Sequence, residues 1–152
     1  MNSSVNIAQD VADQAADHGD RCAFRVLSST GPEHTVSYAE LHDLVSACAG
    51  GLAAHGMTRG STVVVFVPMS VDLYVVLLAL FRIGAIAVFI DPWGGRAMID
   101  AAAALVDADA FIGVAKAHTF RALSRTIRRI KLHIVSGNGG LAGVVRLLPR
   151  TI

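Results

Sequence analysis

Apolar and polar positions change their spacing along this chain, and each change marks an element. Ile7, Val11, Ala12 and Ala15 share one helical face while Asp10, Asp13 and Asp17 lie off it. That spacing predicts an amphipathic helix from Asn6 to about His18, closed by Gly19. Cys22 to Leu27 and Thr35 to Val36 predict short strands around a Ser28-Ser29-Thr30-Gly31-Pro32 turn. Ser37, with Glu40 three residues on, forms a capping box. The box starts a helix because it satisfies two backbone N–H groups that have no partner in the first turn. Tyr38, Leu41, Val45, Cys48 and Leu52 then recur three and four residues apart as one apolar stripe, and Gly56 stands where a left-handed stop is wanted.

The second half of the pattern alternates strand with helix. Thr62 to Val67 is a continuous β-branched run, as in a strand covered on both faces, and Pro68 ends it. Val71 to Arg82 is apolar nearly all round, which predicts a buried helix, with Gly84 terminating it. Ala85 to Ile90 predicts a second buried strand. Strand, helix and strand with short links make a parallel βαβ unit with a right-handed crossover. The pattern repeats more weakly: a helix from about Ala97 to Val106, a strand from Ala110 to Ile112, a helix from about His118 to Ile130, and a strand from Leu132 to Val135. Ser136-Gly137-Asn138-Gly139-Gly140 reads as a loop, and the tail from Leu141 is apolar with two arginines. The fold class is therefore α/β: a mainly parallel sheet with helices on its faces, plus a short N-terminal antiparallel hairpin.

Composition supports a buried sheet and excludes disorder. The 152 residues are 53% hydrophobic and only 16% charged, against a usual quarter charged. This length suits one domain or one piece of a larger one. Cys22 and Cys48 form no metal or redox spacing, and their apolar neighbours predict buried thiols. A reducing cytoplasm is the compartment expected. The first twenty residues carry Asp10, Asp13, Asp17 and Asp20 and no apolar core, so no secretory signal is expected. Asp72 and Arg82 interrupt the apolar stretch over 62–90, so no membrane span is expected.

Two stretches carry a resemblance. Leu80-Phe81-Arg82-Ile83-Gly84-Ala85-Ile86-Ala87-Val88-Phe89-Ile90-Asp91-Pro92 resembles the second core motif of the adenylate-forming enzymes, the acyl-CoA synthetase family. Thr35-Val36-Ser37-Tyr38-Ala39-Glu40-Leu41 resembles that family's first core motif, in the right order and spacing. The segments Asp91-Pro92-Trp93-Gly94-Gly95-Arg96 and Ala110-Phe111-Ile112-Gly113-Val114-Ala115-Lys116-Ala117-His118 resemble a narrower group. That group is the fatty-acid-type synthetases, including those that activate β-hydroxy acids in olefin biosynthesis. The resemblance implies the first subdomain of a large N-terminal domain, with residues 1–152 a single and incomplete subdomain. It also implies the complete family's chemistry: ATP converts a carboxylate to an acyl-adenylate and pyrophosphate, and a thiol, commonly coenzyme A, displaces AMP. ATP, Mg and coenzyme A belong to that complete family.

The family's Thr/Ser/Gly-rich phosphate loop ending in Lys has no counterpart in these residues. Nor do its aromatic-Gly-x-Thr-Glu segment, its ribose-binding Asp or its C-terminal adenylation lysine. Stabilising charge on a transferring phosphate group needs a lysine, a backbone nest or a metal. The expectation is a chain with no catalytic, cofactor-binding or metal-ligating residue of its own. It binds no cofactor alone and serves as a scaffold in fatty acid metabolism. Its partner is then the missing remainder of a synthetase. The alternative is a standalone module that docks on a full-length synthetase or another protein through an exposed apolar face. A third reading keeps an unrecognised nucleophile and weak activity.

Substitutes for the missing chemistry are weak. Gly137-Asn138-Gly139-Gly140 matches neither a Walker loop nor a dinucleotide fingerprint, and reads as a plain loop. His18, His34, His42, His55, His118 and His133 show no HxxxH or HExxH spacing, and His118 is expected at the surface at a helix start. No serine sits in a Gly-x-Ser-x-Gly elbow. Charge is lopsided: twelve acidic and five basic residues through Asp109, then eight basic and no acidic ones. Arg121, Arg125, Arg128 and Arg129 are expected on one helix face. That face is either a solvated surface or a contact for a phosphate, an anionic lipid or nucleic acid. No aromatic residue interleaves with these arginines, so nucleic acid is not an expected partner.

Overall fold

The computed structural model describes residues 6–27, 33–90, 95–119, 124–136 and 145–146. Helix α1 runs Ile7–His18, strand β1 Cys22–Val26, strand β2 His34–Ser37 and helix α2 Tyr38–Ala54. Then come β3 (Thr62–Phe66), α3 (Val71–Ile83), β4 (Ile86–Phe89), α4 (Gly95–Ala104), β5 (Ala110–Gly113), α5 (Arg125–Arg129), β6 (Leu132–Val135) and β7 (Val145–Arg146). Strands β1 and β2 form an antiparallel pair with an irregularity between Cys22 and Phe24. The other five form one sheet in the order β4-β3-β5-β6-β7, every neighbouring pair parallel.

The β-branched run does what its composition requires. Val63 and Val65 face one helix layer and Val64 faces the other, all three at most 2% exposed. The first layer packs α1, α2 and α3 on the sheet through Leu41, Val45, Leu52, Val76 and Leu80. The second packs α4 and α5 through Ile99, Ala103 and Ile127, with Phe111 of β5 beneath them. Burying side chains on both faces is what lets a parallel sheet of so few charged residues exist in water.

The helix ends are set by local chemistry. The capping box is present in full: Ser37 N–H donates to Glu40 Oε2 at 2.8 Å, and Glu40 N–H donates to Ser37 Oγ at 3.2 Å. At the other end of α2, Gly56 takes φ +85, with Gly56 N–H on Ala53 O and Met57 N–H on Leu52 O. These are the paired bonds of a Schellman stop, and buried Met57 supplies its apolar contact. Gly84 ends α3 in the same left-handed region, at φ +74.

Several expectations are corrected. Gly19 does close α1, as its C-cap, but in a right-handed conformation at φ −52. The inner face of α1 runs through Ala8, Val11 and Ala15 rather than Ile7, which is 55% exposed. Strand β4 is an outer strand, not a buried one: Ile86 and Phe89 are 53% and 56% exposed. Cys22 is exposed, because it opens the outer hairpin; only Cys48 is buried. The helix expected from His118 to Ile130 is not continuous. Ser124 is extended, at φ −106 and ψ 119, and its side chain caps the short α5 instead. The β7 strand in the apolar tail was not anticipated. The 28–32 turn, the 91–94 segment and the 137–140 loop lie outside the described residues.

Candidate functional site

Strand order decides where a site can sit. From β3 the chain goes through α3 to β4 on one side, then back through α4 to β5 on the other. The sheet reverses its winding between β3 and β5. Open α/β sheets bind ligands in the crevice beyond the carboxyl ends of their strands at such a switch point. Here that crevice holds a pocket of about 520 Å³ lined by Val65, Phe66, Val67, Pro68, Phe89, Ile90 and Val114. Val65 and Ile90 are buried, Phe66, Val67 and Val114 are half-buried, and Phe89 stands exposed. Phe66 lies against Phe111, with ring centroids 6.4 Å apart.

The exit of β5 shapes the same region. A Cβ at Gly113 would come 2.9 Å from Ala117 Cβ and 3.0 Å from Phe111 Cε1, so the strand end is packed to the backbone. Beyond it the chain turns tightly, with Ala117 N–H on Val114 O at 2.8 Å. His118 follows on that turn. It is 6% exposed rather than at the surface, and its Nε2 lies 2.9 Å from Ile134 O. Its ring meets Phe111 edge-on at 5.2 Å, and His133 stands 6.0 Å away. This aromatic cluster joins β5, β6 and the turn, and gives His118 a packing role.

Polar contacts nearby are structural in type. Ser136, buried at the end of β6, donates its N–H to Gly113 O at 3.0 Å and its hydroxyl to Asp72 Oδ2 at 3.3 Å. Ser70 caps α3 by accepting Leu73 N–H at 3.3 Å. Ser124 donates to Asp100 Oδ1 and accepts Ile127 N–H, tying α5 to α4. Burial, and secondly the charge of Asp72, push the Cys48 thiol up to about 12, so it stays protonated and inert.

The donor set tests the family's cofactors directly. The pocket side chains offer no hydrogen-bond donor and no positive charge. The first turn of α3, which opens on the same side of the sheet, carries the carboxylate of Asp72. A helix start favours phosphate through free N–H groups and positive potential, and Asp72 opposes that. ATP and its Mg do not fit these residues. Among the described residues no group of three or more His, Cys, Asp or Glu converges on one point. No helix among them is long and apolar enough to cross a membrane.

Three of the four arginines expected on one helix face share the exposed side of α5. Arg125, Arg128 and Arg129 are exposed on α5, while extended Ser124 separates them from position 121, which lies outside the described residues.

With this geometry in hand, the chain compares directly with known proteins. A family model described as AMP-binding enzyme matches residues 11–142. The chain belongs to the AMP-binding enzyme family. It is 32% identical over 132 residues to the olefin beta-lactone synthetase of Stenotrophomonas maltophilia, covering 82% of this chain and 24% of that protein. It is 41% identical over 83 residues to the propionate–CoA ligase of Escherichia coli, covering 55% of this chain and 13% of that protein. Among solved structures, the acyl-CoA synthetase of Brucella canis superposes with a TM-score of 0.76 at 20% identity, over 94% of this chain and 26% of that one. The chain thus spans about a quarter of the length of the synthetase it matches over most of its residues. It is an acyl-CoA ligase-like N-terminal portion with the family's fold.

The pocket and the Asp72–Ser136 contact escaped the sequence reading. Phe66-Val67-Pro68 and Phe89-Ile90 are visible as strand ends, but their convergence depends on strand order, and no residue spacing reports it. Asp72 and Ser136 are 64 positions apart.

Proposed function

We propose that these 152 residues form the first sheet layer of an ATP-dependent acid–thiol ligase and do not adenylate a carboxylate by themselves. Two observations support the reading. The family match runs through residues 11–142, and none of the described side chains lining the switch-point pocket carries a hydrogen-bond donor or a positive charge for a transferring phosphate. Nucleotide and metal are then held by ligase residues beyond those matched here, and this sheet positions one wall of the site. Fatty acid metabolism and a cytoplasmic setting belong to the same reading. The test is ATP–pyrophosphate exchange by the purified chain across short, medium and long carboxylic acids. No exchange is expected above a no-enzyme control; exchange that depends on a carboxylic acid overturns the reading.

The outer strand favours a second reading, a docking module. Ile86 donates its N–H inward to Ser61 O at 2.8 Å. Residues alternate along a parallel strand, so Ala87 and Phe89 turn their backbone groups to the open side. Residues 86–89 carry no charge, proline or bulge to protect that edge. The partner fitting it is an extended apolar strand of a full-length synthetase. Light scattering of the chain mixed with such a synthetase tests this. A complex lost in Ile86→Lys supports docking, and no complex removes it.

A further inference from the structure

We propose that a second pocket, at the amino ends of β3 and β4, binds a phosphomonoester, with its phosphoryl group between Arg59 and Arg82 and its apolar body on Ile7 and Phe81. The site lies at the opposite end of the sheet from the switch-point crevice and does not rest on the ligase reading.

The pocket holds about 450 Å³, within the range of small-molecule sites. It is lined by Asn6 and Ile7 at the start of α1, by Arg59 before β3, and by residues 81–85 at the end of α3. No lining residue is acidic. Among the described residues, neither guanidinium pairs with a carboxylate.

The fold holds both arginines and leaves their heads available. Arg59 lays its stem across Gly84, where a Cβ would lie 3.1 Å from Arg59 Cγ and 3.5 Å from Arg59 Cβ. Gly60 N–H donates to Gly84 O at 2.9 Å, tying that segment to the end of α3. Arg82 reaches across to α2, where its Nη1 donates to Ser46 Oγ at 2.7 Å. That bond uses only one arm of the guanidinium fork.

An arginine in the last turn of a helix ordinarily serves the free carbonyls there. At the end of α3 the backbone and Asn6 already serve them. Leu80 O accepts Ala85 N–H, Phe81 O accepts Gly84 N–H and Asn6 Nδ2, and Gly84 O accepts Gly60 N–H. The two positive charges therefore line the pocket without a structural counter-charge. Two guanidinium forks grip a tetrahedral dianion from two sides, whereas one fork satisfies a carboxylate. Ile7 and Phe81 are 55% and 39% exposed, an apolar surface beside the charges that a bare inorganic ion would leave wet.

The test is calorimetric titration of the purified chain with phenyl phosphate, inorganic phosphate and benzoate, at low salt and above the second phosphate pKa of about 6. Phenyl phosphate is expected to bind tightest and to weaken as salt rises. Arg59→Gln, which keeps a stem over Gly84, should weaken it by about tenfold. Arg59→Lys, with the charge but not the fork, should recover only part of that loss. Arg82→Gln should also weaken it; if that variant fails to fold by circular dichroism, the Arg59 pair carries the test. Ile7→Ser should weaken phenyl phosphate and leave inorganic phosphate unchanged. Arg128→Gln, at an exposed arginine of α5 outside the pocket, should change nothing. No binding by the wild type, benzoate binding as tightly as phenyl phosphate, or wild-type affinity in both Arg59 variants overturns the proposal. So does undiminished phenyl phosphate binding in Ile7→Ser.

Discussion

Thr62 and Asp109 hold each other twice: Thr62 N–H donates to Asp109 Oδ2 at 2.8 Å, and Asp109 N–H donates to Thr62 O at 2.8 Å. The pair pins the start of β3 to the residue before β5, the two strands that flank the switch point. Their sequence separation is 47, so the contact closes a long loop and sets the register that brings Phe66 level with Gly113. Asp109→Ala removes the side-chain acceptor and leaves the backbone bond. A loss on the order of 1 kcal/mol is expected in urea unfolding. An unchanged midpoint would show that the backbone bond alone fixes the register.

Two glycines should respond in opposite directions. Gly84 sits at φ +74, and a Cβ there would lie 3.1 Å from Arg59 Cγ. Gly84→Ala therefore adds left-handed strain and crowding, and a loss of about 1–2 kcal/mol is expected. Gly50 lies within α2 with nothing within 4 Å of its would-be Cβ. Gly50→Ala should stabilise by about 0.5–1 kcal/mol. Thermal melts of the two variants check the contrast; the same sign in both would contradict the helix stops described.

Much of the fold was legible because it depends on near neighbours. Ser37 and Glu40 cap α2 as their spacing requires, and Val63-Val64-Val65 divides between two helix layers as a β-branched run should. What could not be read depends on distant residues. Nothing near Ile86 or Phe89 shows that β4 ends the sheet, since both strands of the βαβ unit are equally apolar. Ser124 looks like any helix serine until its hydroxyl meets Asp100, 24 positions back, and breaks the segment. The family was legible because its motifs are local. The pocket was not, because it is assembled from three strand ends.

The capping box carries a pH dependence. Glu40 is held below its ordinary value of 4.5, first by the Ser37 backbone N–H and next by the Ser37 side chain. A depressed folded value means the charged carboxylate stabilises fully above the unfolded pKa and loses this as pH falls through the folded one. Glutamine keeps the cap without titrating. Wild type should therefore be more stable than Glu40→Gln at neutral pH, with the gap closing in acid. Melting temperatures across that range test it, and a gap that ignores pH contradicts it.

The two thiols should separate cleanly. Cys22 is exposed, whereas Cys48 is buried with its thiol pushed up to about 12. Ellman's reagent at mildly alkaline pH should titrate one thiol quickly in the native chain and both after denaturation. Two fast native thiols would mean that the packing of α2 on α3 opens readily.

The central claim is that this chain is the first layer of a larger acyl-activating enzyme, and the coding DNA downstream of Ile152 tests it most directly. The expected result is a reading frame that continues, or resumes after a shift, into a Thr/Ser/Gly-rich segment ending in Lys. A stop followed by unrelated sequence would contradict it and leave the docking module as the reading to pursue.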